Sequence, residues 1–405
     1  MSVLTGKHIL LGVTGSIAAY KAADLASKLA QAGAQVDVIL SAAAEKFVRP
    51  LTFQSVTGRR AFTDADLWGG EAHVLHVGLG HSTDLLVIAP CTADTMAKLA
   101  HGLADNLLTV TALAAVCPLV IAPAMDGGMF DAPATQANLA VLIQRGAHIV
   151  GPAEGHLASG LLGKGRMVEP AEVLGHIRAA LGKTGGKLAG RKIVVTAGGT
   201  QEPLDPVRVL TNRSSGKQGY ALAQAAIDLG ADLCLVSTPT ALPAPVGARL
   251  VPVRTAEEMQ AAVLAEIVDA DALIMAAAVA DFRPKRAAAD KMKKRDGIPQ
   301  IELEAAPDIL KTVAGQRLAE GRRPRVVVGF AAESRDLLDN ANEKLKSKHL
   351  DLIVANDISA ADAGFGVETN RVTLLFADGR KQALPLMGKD EVAEVVLQTV
   401  STLLE

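Results

Sequence analysis

Short apolar strands alternate with helix-length amphipathic stretches twice over in this chain, and that alternation permits few folds. In the first half the runs HILLG (8–12), VDVIL (36–40), DLLVIAP (84–90), PLVIAPA (118–124) and HIVGP (148–152) are separated by stretches that predict helices near 17–32, 92–103, 132–145 and 170–181. The second half repeats the scheme with KIVVTA (192–197), DLCLVS (232–237), DALIMAA (271–277), RVVVGFAA (325–332) and DLIVAN (351–356). RVTLLFAD (371–378) predicts a late edge or hairpin strand. Strands that are apolar along their whole length must be covered on both faces, so each half predicts a doubly wound α/β domain on a parallel sheet. The stretch LGKTGGKLAGRK lacks periodicity and is rich in Gly and Lys, which predicts domains at 1–181 and 192–405 joined by a linker at 182–191.

Length agrees with two domains, since 405 residues exceed what a single core usually serves. The net charge of −2 predicts no general attraction to nucleic acid or to anionic membranes. Cys91, Cys117 and Cys234 follow no metal-ligand spacing and make no even disulfide set; Cys117 and Cys234 read as core thiols. The N-terminal MSVLTGKHILLG is too short an apolar run for a signal peptide, and no run reaches the length of a membrane span. A cytoplasmic protein is the expectation.

Two segments read as phosphate cradles, where small residues expose backbone N–H groups ahead of a helix N-terminus. TNRSSGKQG (211–219) precedes an apolar-periodic helix, and GVTGSIAAYK (12–21) follows the first strand. The first keeps Gly12 and Gly15 but lacks the G-x-G-x-x-G spacing of a dinucleotide site. The second strand ends at Ser41, where a dinucleotide site needs an Asp or Glu for the ribose. A mononucleotide or flavin suits these residues better than a nicotinamide dinucleotide, which leaves a nicotinamide-dependent oxidoreductase as the weaker alternative.

GVTGSIAAYK, SAAAEKFVRPLTFQSVTG, HVGLGHSTD, APCTADTMAKLAHGLADNLL and PAMDGGM, in this order, resemble the flavin-containing cysteine decarboxylases over nearly the whole first half. The resemblance implies a flavodoxin-like fold with FMN at a trimer interface. Its phosphate falls to Gly15, Ser16 and Ile17, with Ser41, Thr92, Ala93, Asp94, Thr95 and Ala124 completing the flavin site. The family's catalytic histidine, eight residues before Asp84, corresponds to His76 rather than His73 or His81.

TAGGTQEPLDPVRVLTNRSSGKQG, AAAVADFRP, DKMKK, PDIL, GFAAES and ANDIS resemble the phosphopantothenate–cysteine ligases of coenzyme A synthesis. Bacterial chains commonly fuse the two activities in this order, so the resemblance implies a bifunctional enzyme. Its substrates would be 4'-phosphopantothenate, cysteine and CTP, with Mg²⁺, Asp281 being a possible ligand. Asn212 would hold an acyl-cytidylate beside the Ser214, Ser215, Gly216 and Lys217 cradle. Ala276, Ala277, Ala278, Asp281, Pro307, Asp308, Ile309, Leu310 and Phe330 would line the CTP pocket. Lys291, in a run with Lys293 and Lys294 that reads as a mobile polar loop, would contact the triphosphate. Lys344 and Lys348 stand four apart on an expected helix, NEKLKSKHL, and would project together toward an anion. Dimers of this half and trimers of the first would combine into a homo-oligomer, up to a dodecamer.

Two positions depart from the decarboxylase pattern. Asp126 stands where the family carries an Asn that binds the substrate carboxylate, and Ser159, in HLASGLLGKGRM, where it carries an acidic Cys. The expectation is that Asp126, buried beside flavin and substrate, is neutral and takes over acid duty, with Ser159 positioning it. A first half that stops at the ene-thiol, or a non-catalytic flavin-binding regulator, are the rival readings; the lysines of the second half weigh against the regulator.

Overall fold

The computed structural model describes residues 2–68, 75–294, 297–320, 323–333, 336–357 and 367–405. His73, Arg295 and Asp296 of the lysine-rich loop, Ser334 of GFAAES, and Ile358 and Ser359 of ANDIS lie outside the described residues. The chain forms two compact units, Met1–Leu181 and Gly182–Glu405.

In the first unit, β1 (His8–Val13), β2 (Gln35–Leu40), β3 (Ala61–Phe62), β4 (Leu85–Cys91), β5 (Leu119–Pro123) and β6 (His148–Ile149) make an all-parallel sheet in the order β3-β2-β1-β4-β5-β6. Without the two-residue β3 this is the flavodoxin-like order 2-1-3-4-5, which reverses between β1 and β4 and opens a crevice at their carboxyl ends. Helices α1 (Ala19–Gln31), α2 (Pro50–Thr57), α3 (Leu75–Ser82), α4 (Ala93–His101), α5 (Leu107–Ala114), α6 (Gly127–Asp131) and α7 (Pro133–Gln144) connect the strands. An antiparallel hairpin of β7 (Ala153–His156) and β8 (Leu162–Arg166) precedes α8 (Pro170–Gly185). Alternation along β1 builds a core on each face: Ile9, Leu11 and Val13 pack with Leu25 and Leu29 of α1, and Leu10 with Leu107 and Leu108 of α5. Each such buried leucine contributes about 1.5–3 kcal/mol.

The second unit holds β9 (Lys192–Ala197), the antiparallel pair β10 (Gln201–Pro203) and β11 (Val209–Thr211), α9 (Lys217–Asp228), β12 (Asp232–Ser237), β13 (Arg249–Pro252), α10 (Ala256–Glu266) and β14 (Ala272–Met275). There follow the pair β15 (Phe282–Pro284) and β16 (Leu303–Ala305), then α11 (Ile309–Glu320), β17 (Val326–Glu333), α12 (Leu337–Ser347) and β18 (Leu352–Asp357). The chain ends with β19 (Thr369–Asn370), β20 (Val372–Phe376), β21 (Lys381–Ala383), β22 (Met387–Gly388) and α13 (Lys389–Leu404). The main sheet runs β13-β12-β9-β14-β17-β18-β20-β21, parallel through β18 and antiparallel after it. Its parallel part has the Rossmann order, with the reversal between β9 and β14. No described helix is long and apolar enough to cross a membrane.

Three local expectations change. The stretch expected as a linker is partly ordered: α8 continues to Gly185, and the fully buried Leu188 donates its N–H to Leu229 O at 2.8 Å. Gly182 and Gly186 are contact residues, because a Cβ on either would overlap the Ile227–Leu229 backbone. HVGLGHS, outside the four helices expected in the first half, lies in helix α3. Helix α12 ends at Ser347, so Lys348 caps it instead of continuing it.

Candidate functional sites

The crevice of the first unit is cross-linked by one threonine. Thr14 Oγ1 donates to Pro90 O at 2.7 Å and accepts from the Thr92 N–H at 3.0 Å, joining the ends of β1 and β4. Gly15 follows because a Cβ there would overlap Ala43. Ser16 Oγ accepts from Ala18 N–H at 3.2 Å at the entry to α1, and Ile17 beside it is 62 % exposed. Ser41, at the end of β2, donates its N–H to Val13 O and accepts from Ala44 N–H through its hydroxyl. Thr92 Oγ1 caps α4 by accepting from Thr95 N–H, and donates to Thr95 Oγ1 at 3.2 Å. Ala93 and Asp94 form the first turn of α4, where Asp94 pairs with Lys98. Ala124 donates its N–H to Cys91 O at 2.9 Å. The structure thus brings Gly15, Ser16, Ile17, Ser41, Thr92–Thr95 and Ala124 to one edge of the sheet. Cys91 is fully buried there, and burial pushes its thiol far up, which removes it as a nucleophile.

Asp126 caps α6, its Oδ1 accepting from Gly128 N–H at 3.0 Å while its Oδ2 accepts from Ser159 Oγ at 2.8 Å. The loop that carries Ser159 joins β7 to β8, and Gly165 of β8 accepts from Met125 N–H through its carbonyl. A Cβ on Gly127 would press on Lys164 O at 2.9 Å, so the two segments touch backbone to backbone. Where the sequence predicts a buried Asp126, the structure leaves it half-buried, with one of these donors on each oxygen. His76 stands in the first turn of α3, and among the described residues its buried Nδ1 has no hydrogen-bond partner. Such an atom is costly unless a ligand completes its bonding. Among the described residues no hydrogen bond joins His76 to Asp126 or Ser159.

In the second unit a cavity of about 660 Å³ opens at the carboxyl ends of β9, β14 and β17. One wall is Asn212, Ser214, Ser215, Gly216 and Lys217; Gly216 takes φ 77° to turn the chain into α9. A second is Ala276, Ala277, Ala278 and Asp281, pinned across the switch point by Ala277 N–H to Thr196 Oγ1 at 3.1 Å and Ala278 N–H to Gly198 O at 2.8 Å. Pro307, Asp308, Ile309, Leu310 and Phe330 form a third, and Lys344 and Lys348 close it. Lys348 pairs with Asp308 at 3.4 Å, so an internal carboxylate already offsets part of its charge. Asn212 Nδ2 donates to the carbonyls of Ala278 and Val279 at 3.4 and 3.3 Å. Lys291, by contrast, is exposed and is not part of the cavity wall; Lys293 and Lys294 are exposed too. Sequence reasoning missed Asn356, Asn370 and Lys389, which also line the cavity. The pattern GKDEVAEVV, a glycine before an acidic first turn, marks the helix that Lys389 opens, but nothing local says where that helix docks. No cluster of three metal-ligating side chains occurs among the described residues.

A hydroxyl-rich flavodoxin-like crevice and a polar cavity on a Rossmann-ordered sheet define a two-domain flavoprotein. Residues 2–182 match the Flavoprotein family and residues 188–404 the DNA/pantothenate metabolism flavoprotein C-terminal domain. The chain is 45 % identical over 403 residues to the coenzyme A biosynthesis bifunctional protein CoaBC of Bacillus subtilis (strain 168), spanning 99 % of this chain and 98 % of that protein. It is 43 % identical over 409 residues to the CoaBC of Mycobacterium tuberculosis (strain ATCC 25618 / H37Rv), spanning 98 % and 97 %. A solved C-terminal domain of a CoaBC covers 54 % of this chain and 98 % of its own length at 40 % identity, with a TM-score of 0.46. The chain belongs to the CoaBC family of bifunctional coenzyme A biosynthesis proteins. It is an enzyme with phosphopantothenate–cysteine ligase and phosphopantothenoylcysteine decarboxylase activities.

Proposed function

We propose that the second unit ligates 4'-phosphopantothenate to cysteine at the expense of CTP, and that the first, holding FMN, decarboxylates the product to 4'-phosphopantetheine. The observation that supports this most is the single cavity that gathers Asn212, the 214–217 cradle, Asp281, Asp308, Lys344 and Lys348. In the ligation, a carboxylate oxygen of phosphopantothenate attacks the α-phosphorus of CTP. A P–O bond forms, the α–β anhydride bond breaks, and pyrophosphate leaves. The cysteine amine then attacks the acyl carbon and CMP departs, giving the amide. Cations and N–H groups fixed in the cavity stabilise charge as it develops. Asp281 of the wall would help hold a phosphate-bound Mg²⁺, which would neutralise charge on the triphosphate; such an ion needs few protein groups, in keeping with the absence of a three-ligand cluster among the described residues. Lys291 reaches the triphosphate from its exposed loop.

The donor set of the first unit fits FMN: hydroxyls of Ser16, Ser41, Thr92 and Thr95, the exposed Ile17, and a histidine nitrogen awaiting a partner. Gly15, Ser16 and Ile17 would hold its phosphate, with Ser41, Thr92–Thr95 and Ala124 around the ring. When bound, FMN would supply the two-electron oxidation of the cysteinyl thiol that lets the neighbouring carboxylate leave the α-carbon as CO₂, and would return the electrons afterwards. His76 moves a proton at the thiol, Asp126 delivers one to the substrate carbon, and Ser159 holds Asp126 in place. A homo-oligomer working in the cytoplasm completes the reading; the exposed Ile17 and Tyr20 beside the crevice suit a subunit contact. The test is to give the purified chain phosphopantothenate, cysteine, CTP and Mg²⁺ and follow products by mass spectrometry. Phosphopantothenoylcysteine and then phosphopantetheine are expected; neither forming defeats the proposal.

A further inference from the structure

Among the described residues, two asparagines of the ligase cavity wall, Asn356 and Asn370, keep a buried amide oxygen without a hydrogen-bond partner. Asn370 is 2 % exposed, and a relay of hydrogen bonds fixes which way its amide faces. The Lys389 carbonyl can only accept, so Gln218 donates to it through Nε2 at 3.0 Å and turns Oε1 toward Asn370. Asn370 must then donate its Nδ2, at 3.3 Å, which leaves its oxygen as the open acceptor. Asn356 ends the β18–β20 ladder opposite Val372, two residues beyond Asn370 in the chain, so the fold sets the two asparagines close together.

Two buried acceptors without partners are costly unless a ligand brings donors to them. Two N–H groups on one nitrogen suit such a pair, and the ligase substrates carry them at the cysteine amine and at the exocyclic amine of cytosine. The residues proposed for CTP and the acyl-cytidylate, from Asn212 and its cradle to Lys344 and Lys348, lie on other elements than β18 and β19 and leave cysteine without a seat. We propose that Asn356 and Asn370 form the seat of the cysteine amino group, which rests on the reading of the cavity as the ligase site. An amide oxygen accepts from a neutral amine without the negative charge that would keep it as ammonium, a form with no lone pair to attack. With both N–H bonds held, the lone pair is left to face the acyl carbon. As the C–N bond forms, the acyl C–O bond breaks, its electron pair leaves on the phosphate oxygen of CMP, and the surplus amine proton passes to solvent. Neither asparagine takes a proton.

Rapid-mixing kinetics of the full chain separate the two half-reactions: pyrophosphate release with phosphopantothenate, CTP and Mg²⁺, then CMP release when cysteine is added. Asn370→Leu is expected to raise the KM for cysteine at least tenfold while the pyrophosphate burst keeps its rate. Asn356→Asp, close in shape and a second route if Asn370→Leu misfolds, is expected to move the pH profile of the cysteine step to higher pH. The reason is that a carboxylate there holds the bound amine as ammonium. An unchanged KM for cysteine in the first variant, or an unmoved profile in the second, overturns the seat. So does a slowed pyrophosphate burst with lost discrimination between CTP and UTP, which gives the pair to the cytosine amine instead. If the unmodified chain shows no burst at all, the reading of the cavity falls and takes the seat with it.

Discussion

Ser159 Oγ donates a 2.8 Å hydrogen bond to Asp126 Oδ2. The two positions at which this chain departs from the decarboxylase pattern are therefore in direct contact, although 33 residues separate them. The contact couples the two side chains, so a change at one alters the setting of the other.

From that pairing, Asp126→Asn should cut phosphopantetheine formation by about 10²–10⁴-fold, the usual worth of a positioned acid. Product lacking two hydrogens should accumulate, read by mass spectrometry, while bound flavin stays unchanged. Ser159→Ala should cost less, because Gly128 still holds Asp126. An Asp126→Asn enzyme at full rate would remove Asp126 from the chemistry.

A second knot lies beneath the lysine loop. Asp205, 3 % exposed, accepts from Val207, Arg208 and Met292 N–H groups, while Arg208 Nη1 donates to both Asp205 Oδ2 and Met292 O. Both backbone groups of Met292 are thereby fixed, one residue from Lys291. Asp205→Ala should lower kcat/KM for CTP by up to about 10²-fold through misplacement of Lys291. Added to Lys291→Ala it should cost nothing further. Steady-state kinetics of the double-mutant cycle decides this, and full additivity would separate the knot from the lysine.

Helix α9 lies so close to β9 that a Cβ on Gly219 would stand 2.9 Å from Ala197 Cα and Thr196 O. Those obstacles are backbone, so Gly219→Ala should destabilise the second unit by about 1–3 kcal/mol. Gly315, in α11, has open space around its Cβ position, and Gly315→Ala should gain about 0.4–1 kcal/mol. Thermal unfolding of the two variants should shift in opposite directions.

His8 anchors the amino end of β1, with Nε2 on Asp37 Oδ2 and Nδ1 on Ser82 O; Arg59 binds the same carboxylate through two nitrogens. The Asp37 bond raises the His8 pKa despite burial, and the Ser82 carbonyl adds to it. Burial would raise Asp37, but His8 and Arg59 outweigh it and bring it to about 2. The His8 contribution to stability is thus full below about 6.5 and fades as pH rises through its elevated folded value. The Asp37 contribution holds above its unfolded value and is lost as pH falls toward about 2. Unfolding followed against pH should lose its alkaline-side decline in His8→Gln; an unaltered profile contradicts the assignment.

Much of this architecture was legible because most buried strands are nearly continuous apolar runs whose length bounds them. The glycines at 182 and 186 misled, since close backbone contact and flexibility demand the same residue. Asp126 and Ser159 could be flagged separately, but their contact depends on how the β7–β8 loop meets α6. Lys389 was invisible for a related reason: Gln218, which donates to its carbonyl, is distant in sequence and meets it only when α13 packs on α9. Lys291 is the converse, prominent in sequence yet outside the cavity wall.

The most direct measurement supplies the purified, flavin-reconstituted chain with phosphopantothenate, cysteine, CTP and Mg²⁺ and records pyrophosphate and CO₂ together. The account predicts pyrophosphate release that needs the second unit's lysines, followed by CO₂ in equal amount that needs flavin. A chain that stays flavin-free and releases neither product contradicts it.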